Sequence, residues 1–300
     1  MRYLITLLLS LDFMIAFGQN PLPKEFSYSD FFELIESETD TVFILENAFI
    51  RYDEATDTAF LTIPDEVEDT LNTSRLAYVI TIDKHIRLVD VYFERKTILD
   101  FDKYPAGVAF GGTILNVDFK KSFELRGKGQ IRFNNCAFRQ SVDLQLATRY
   151  GEQESSINEN VSSSGFSYCL FEESFNAKVY SDEHWEANLK VYRSNYLFDG
   201  DDSQGLWVDA IGGGFYFMSN NFTGVGGAYF GCEAVENLNF SNNSCNNVLV
   251  TLSSYRISPS SGIIIEGNKF ENFLLLRFEK ILPNYIIEWK QFNEFVVLGN

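Results

Sequence analysis

The chain has two histidines, and one of them lies in its most reactive-looking segment, Asp182-Glu183-His184-Trp185-Glu186. A carboxylate beside an imidazole is the material of general acid–base catalysis, and an indole packs well on the flat face of a sugar ring. The same segment reads equally as a polar loop held down by one Trp, because adjacency in sequence implies no geometry. A second concentration of carboxylates is Asp199-Gly-Asp201-Asp202, followed by Trp207 and Asp209. Several carboxylate oxygens on one turn suit calcium, with Asp199, Asp201 and Asp202 as ligands. Short Asp/Gly clusters are also ordinary turn chemistry. A lyase acting on uronic acids needs a Lys or Arg base, and Lys190 and Arg193 stand nearby in sequence. The catalytic candidates are therefore Asp201, Asp202, Asp209, His184, Glu183 and Lys190. The binding candidates are the aromatic residues Trp185, Trp207 and Tyr255.

What must position these side chains is a repeat. GIIIEGNKFENFLLL (262–276) is written again as YIIEWKQFNEFVVL (285–298). With Asn268 as the zero of a register, apolar residues fall five and three places before it and Phe two places after. Zero positions then lie at 91, 117, 136, 169, 196, 220, 243, 268 and 290. The place two after zero holds Phe93, Phe119, Phe138, Phe171, Phe198, Phe222, Cys245, Phe270 and Phe292. Val42, Ile44, Asn47 and Phe49 repeat the pattern once more. Alternation of this kind is the period of a strand, and a second strand follows each corner, as in Phe123 and Leu125 or Leu274 and Leu276. Neither strand buries its apolar side alone, so the units must stack. The gaps are too short for helical crossovers. The expected fold is all-β, a single-stranded parallel β-helix of about nine to eleven turns, each turn rising about 4.8 Å.

GFYFMSNNFTGVGGAYF (214–230) and GIIIEGNKFENFLLL resemble the repeat of pectin-lyase-like proteins, and the Asn220, Asn243, Asn268 column is similar to that superfamily's asparagine ladder. The resemblance covers residues 86–298 and implies a right-handed coil, as parallel crossovers generally prefer. It also implies a list of activities too varied to choose from, including lyases, hydrolases, epimerases and non-enzymatic surface proteins. Asp201 and Asp202 resemble the paired aspartates of its pectin-hydrolysing members, in which one carboxylate activates water and the other protonates the leaving group. The Asn-Thr-Asp, Gly-His-Gly and Arg-Ile-Lys motifs of those enzymes have no counterpart here.

Residues 1–18 read as a secretory signal, with Arg2, an apolar run to Phe17, and Ala16 and Gly18 before the cut. Residues 19–41 read as an N-terminal cap whose short helix, Asp30 to Ile35, presents Phe31, Leu34 and Ile35 on one face. The β-helix domain occupies 42–300. The acidic stretch 51–75 reads as a solvated excursion. A net charge of −18 argues against nucleic acid as a partner, and no stretch after the signal is long and apolar enough to span a membrane. Cys136 and Cys169 share a column on adjacent turns, where buried reduced thiols and a disulfide are both open. Insertions at 146–165, 181–189 and 253–261 fall in one phase of the turn and so border one side of the coil. The final copy ends without a polar cap, so the expectation is either self-association through the C-terminal end or a longer natural chain. The functional expectation is a secreted, periplasmic or cell-surface scaffold that presents a binding face to polysaccharide or a partner protein. The alternative is a polysaccharide lyase or glycoside hydrolase working in a groove along the helix.

Overall fold

The computed structural model describes residues 22–57, 77–101, 112–127, 131–147, 161–180, 186–198, 205–211, 214–270, 273–278, 285–287 and 294–299. The protein is a parallel β-helix. Each turn crosses three faces. Among the described residues the first face is crossed ten times, beginning at Val42, His85, Gly112, Ile131, Val161, Glu186, Gly214, Asn237, Gly262 and Tyr285. The second face carries short strands such as Asp118–Phe119, Ala137–Phe138 and Leu170–Phe171. The third carries longer ones, among them Lys96–Phe101, Phe123–Gly127, Val142–Ala147, Phe175–Tyr180 and Leu206–Ile211. Toward the C-terminus the corners open, and Asn221–Ser241 and Ser244–Glu266 each run through all three faces as one continuous strand. The stretch 253–261, expected as an insertion, is part of the second of these.

The corner between first and second faces fixes the register. Nine successive corners carry one residue in the left-handed region: Asn47, Asp90, Asn116, Asn135, Tyr168, Arg193, Ser219, Asn242 and Gly267, with φ from 48° to 63°. Their backbone N–H groups donate to the following turn, as from Asn135 to Ser167 O at 2.9 Å and from Tyr168 to Tyr192 O at 3.0 Å. The next residue points inward. That inner column runs Ala48, Val91, Val117, Cys136, Cys169, Ser194, Asn220, Asn243, Asn268, all buried. Two expected registers were off. Ser194 is the inner residue of its turn, so Tyr196, and not Phe198, takes the place in the aromatic column. Its ring stacks on Phe171 at 4.6 Å and on Phe222 at 4.7 Å. In the first turn Phe43, Leu45, Ala48 and Ile50 are buried while Ile44 is 54% exposed, one place from the expected pattern. A one-residue slip exchanges the two sides of a strand.

Stacked rings fill the coil. Phe93, Phe119, Phe138 and Phe171 follow one another at 5.1 to 5.2 Å with planes within 7° of parallel. Phe133 and Phe166 stack at 4.6 Å beside them. Identical side chains one strand apart meet face to face, each pair adding about 0.5–1.5 kcal/mol beyond its buried area. Cys136, Cys169 and Cys245 are free thiols inside the coil, and burial pushes the Cys169 and Cys245 thiols above their usual pKa. Lower down, the buried amides form a ladder. Asn220 N and Nδ2 donate to Asn243 Oδ1 at 2.9 and 3.1 Å, and Asn243 N and Nδ2 donate to Asn268 Oδ1 at 2.9 and 3.0 Å. The same Nδ2 atoms also donate to Val191 O and Phe217 O. The side-chain amides of the ladder thus have partners, which is the condition for burying amides at all.

The N-terminal end is closed by helix α1, Tyr28–Ser37. Ser27 and Asp30 form a reciprocal capping box, as such a pair at this spacing should. Tyr28, Phe31 and Ile35 are buried, with Phe31 edge-on to Phe43 at 5.9 Å and Phe93 at 5.7 Å, whereas Leu34 is exposed. Lys84 Nζ donates to Ile35 O and Glu38 O at the helix C-terminus, the favoured place for a cation. Asp57 corrects the expectation of a solvated excursion. It is fully buried, and its carboxylate accepts from Tyr28 N, Ser29 N, Ser29 Oγ and Asp53 N at 2.7 to 3.2 Å. Burial alone raises its pKa, but the hydrogen bonds from Asp53, Ser29 and Tyr28 outweigh it and hold the carboxyl below its usual value. The proposed signal, residues 1–18, lies outside the described residues, as does most of 51–75. No described helix is long and apolar enough to cross a membrane.

Candidate functional site

Side chains alternate in and out along the third face, and the outward ones line up from turn to turn. One column runs Glu124, Asp143, Asn176, Trp207, Tyr229, Thr251. Glu124 is paired with Lys96 at 3.8 Å and Arg126 at 2.5 Å. Asn176 Nδ2 donates to Asp143 Oδ1 at 3.1 Å. Then the column turns aromatic. Trp207 and Tyr229 stack with ring centroids 4.1 Å apart and planes 24° from parallel, and Trp207 is 37% exposed. Beside it the next outward positions are Gln145 and Lys178, and Asp209 is the register partner of Lys178 on the following turn. A strand spacing near 4.8 Å brings such neighbours into contact without any loop to order. The site is therefore held by the sheet itself.

Of the candidates, Trp207 and Asp209 share this face. Lys190 does not. It points outward from the first face, its Nζ 5.3 Å from the centre of the Tyr216 ring, so the structure does not bring it to Asp209. Tyr255 lies within the strand Ser244–Glu266. Glu183, His184 and Trp185, and the proposed calcium ligands Asp199, Asp201 and Asp202, lie outside the described residues. The residues bracketing them are informative. Residues 181–185 connect the end of a third-face strand, Tyr180, to the first face at Glu186. Residues 199–204 connect the second face at Phe198 to the start of a third-face strand at Leu206. Among the described residues no three His, Cys, Asp or Glu gather as metal ligands.

Tyr229, Asn176 and Asp143 join Trp207 through register alone. Counting outward positions along aligned turns would have found them. Arg193 was expected at an inward place and is instead an exposed corner residue. Its Nη1 donates to Tyr168 Oη at 3.1 Å, a hydrogen bond that raises the guanidinium pKa. Left-handed backbone costs roughly 1–2 kcal/mol for a side-chain-bearing residue without local compensation, so Tyr168 and Arg193 stand apart from the Asn, Asp, Ser and Gly of the other corners. Near the N-terminal end the same corner widens into an open cleft of about 290 Å³, lined by Asn47, Phe49, Asp90, Tyr92, Asn116 and Asp118 among others. Its amides and carboxylates are linked in sequence: Asn135 Nδ2 donates to Asn116 Oδ1 and Asn116 Nδ2 to Asp90 Oδ1, both at 2.9 Å.

No protein family, curated protein or solved structure matches this chain. Function has to be read from the outward residues. Those described are mostly tied to one another as ladders. On the second face Arg139 bridges Asp118 at 3.1 Å and Glu172 at 2.5 Å, a pairing across turns. Exposed pairs of this kind contribute little to stability individually. They do hold side chains in fixed rotamers along the coil.

Proposed function

We propose that the protein is an exported scaffold whose third face binds a glycan, with the Trp207–Tyr229 pair as the platform on which a sugar ring packs. The ring pair carries this reading. An exposed indole held on a sheet by a stacked tyrosine is already in place before ligand arrives, which lowers the ordering cost of binding. Asp143 and Asn176, next in the same column, supply an acceptor and a donor for hydroxyl groups. Export follows from the apolar stretch at 1–18, giving a secreted, periplasmic or cell-surface location. The architecture and the amide ladder agree with membership of the pectin-lyase-like superfamily. A scaffold is favoured over the lyase or hydrolase reading because the described carboxylates are spread along the coil in pairs rather than converging.

Affinity electrophoresis through gels containing single polysaccharides tests this. The expected result is retardation by at least one neutral glycan, weakened about tenfold in Trp207→Ala, the equivalent of about 1.4 kcal/mol for one lost stacking partner. The same panel is assayed for new reducing ends and for the ultraviolet absorbance of unsaturated products. Turnover of any glycan would replace the scaffold reading with the enzymatic one, and retardation unaffected by Trp207→Ala would remove the platform.

A further inference from the structure

We infer that the corner built from Tyr168 and Arg193 is a docking surface for an acidic segment of a partner protein, separate from the third-face platform. The starting observation is backbone geometry. Nine corners of the coil hold a left-handed residue, and six supply Asn, Asp or Gly, the residues that tolerate it. Of the three adjacent corners that do not, Ser219 carries a small side chain, whereas Tyr168 at φ 57° and Arg193 at φ 48° carry large ones. Strain retained at neighbouring positions points to use rather than to folding.

The two side chains meet. Arg193 Nη1 donates to Tyr168 Oη at 3.1 Å, and the guanidinium lies 4.8 Å from the centre of the Tyr192 ring and 5.8 Å from that of Tyr168. On the adjoining first face Lys190 stands over Tyr216, and Met218 is the neighbour of Tyr192. Charge then selects the partner. Arg51, Arg87, Lys96, Arg126 and Arg139 each lie within ion-pair distance of a carboxylate. Among the described residues Lys190 and Arg193, like Lys120 and Lys121, lie within that distance of none, and what distinguishes the pair is that they stand three residues apart on adjoining parts of one turn, each held over a tyrosine ring. Two cations held over rings, in a chain of net charge −18, leave a fixed positive surface that a carboxylate complements, and the guanidinium fork matches it in two hydrogen bonds.

Composition selects the class of partner. Tyr, Arg and Met are the residues enriched at protein interfaces. The cations lie over the Tyr192 and Tyr216 rings, so a ligand reaching this corner meets positive charge before it meets an aromatic face. The occupant is therefore a peptide segment presenting Asp or Glu beside an apolar or aromatic side chain.

A random glutamate–tyrosine copolymer is the probe, measured by fluorescence anisotropy against the full chain at two salt concentrations. Binding should weaken with salt. Arg193→Asn should reduce it at least tenfold and Arg193→Lys by nearly as much, because an ammonium lacks the fork. Lys120→Ala, which removes an exposed charge from the second face, should leave it unchanged. Arg193→Asn should also melt a few degrees higher, since asparagine occupies such corners without strain. Absence of binding, equal loss in Lys120→Ala, or a lower melting temperature in Arg193→Asn would each overturn the inference. So would tighter, Arg193-dependent binding of polygalacturonate or dextran sulfate, which would assign the corner to an acidic glycan.

Discussion

Removing one ring from the middle of the stack measures how the coil is held. Phe138 is 1% exposed and touches five other rings. It is stacked between Phe119 and Phe171, both at 5.1 Å, with Phe123, Phe133 and Phe166 at 5.3, 5.7 and 5.9 Å. A buried Phe→Ala change costs about 3–5 kcal/mol. Phe138→Ala belongs at the upper end, because neighbours on both adjoining turns are fixed by their own ladders and cannot collapse into the space. Phe49 is the matched control. It is an outward residue of the first turn, edge-on to Tyr92 at 5.1 Å and beneath Arg51, and its loss should cost about 1 kcal/mol, one aromatic pair's worth. Urea unfolding followed by far-ultraviolet circular dichroism gives both numbers by linear extrapolation. A cost below about 1 kcal/mol for Phe138→Ala would refute the packing argument. A larger cost at Phe49 than at Ile50 would refute the register of the first turn, since Ile50 is the buried residue there.

Asp57 makes the N-terminal cap acid-sensitive. A carboxyl with a lower pKa folded than unfolded adds stability that is complete above the unfolded value, about 3.9, and is lost as pH falls through the folded one. Melting temperature should therefore be flat from neutral pH to about 5 and fall below about 4. Asp57→Asn should flatten part of that fall while lowering stability at pH 7, and an unchanged acid limb would show that Asp57 does not set it. In the amide ladder, Asn243→Leu keeps the volume but strands Asn220 N and Phe217 O, each a buried group costing about 1–3 kcal/mol unpaired. Chemical denaturation should register a loss of about 3–5 kcal/mol, and a loss under 1 kcal/mol would mean water replaces the amide.

The fold was legible because its signal is redundant. Six of the eight described places two after the inner corner residue, from Phe93 to Phe270, hold the same ring, and each is backed by apolar residues on both flanking strands. The register is ambiguous where a single cue competes with that redundancy. Phe198 matches the column by residue type, although Tyr196 has the same ring and the right neighbours. Val42 and Ile44 alternate as inward residues should, yet Phe43 and Leu45 alternate just as well. Burial of Asp57 was not legible, since a carboxylate taking hydrogen bonds from residues 28 and 29 is a tertiary event that local composition does not report. The reactive segments 182–186 and 199–202 drew attention by composition, whereas the Trp207–Tyr229 pair is assembled by register from residues on separate turns.

The corner divides its duties between adjacent residues. The inner one faces the core and changes along the coil from Ala and Val to Cys, Ser and finally Asn, and the change has to be gradual. A lone buried amide between Val117 and Cys169 would have no neighbouring amide to accept its N–H groups, so Asn pays only where the next turn also has one. Ser194 serves as the junction: its hydroxyl accepts from Cys169 N at 3.1 Å, while its own N–H donates to Asn220 Oδ1 at 3.0 Å. One residue earlier the chain faces solvent, in a conformation that the inner residue's packing enforces. That outer place is free to vary as long as it tolerates left-handed backbone, and the inner ladder supplies the stability that lets two corners depart from this. Tyr168 and Arg193 sit beside Cys169 and Ser194, at the junction where the inner column passes from thiol to hydroxyl and each inner residue is tied to the next turn by a hydrogen bond. The hydrogen-bonded run of the inner column therefore begins beneath the bulky left-handed residues of the outer one, and rigidity in the first holds the display of the second.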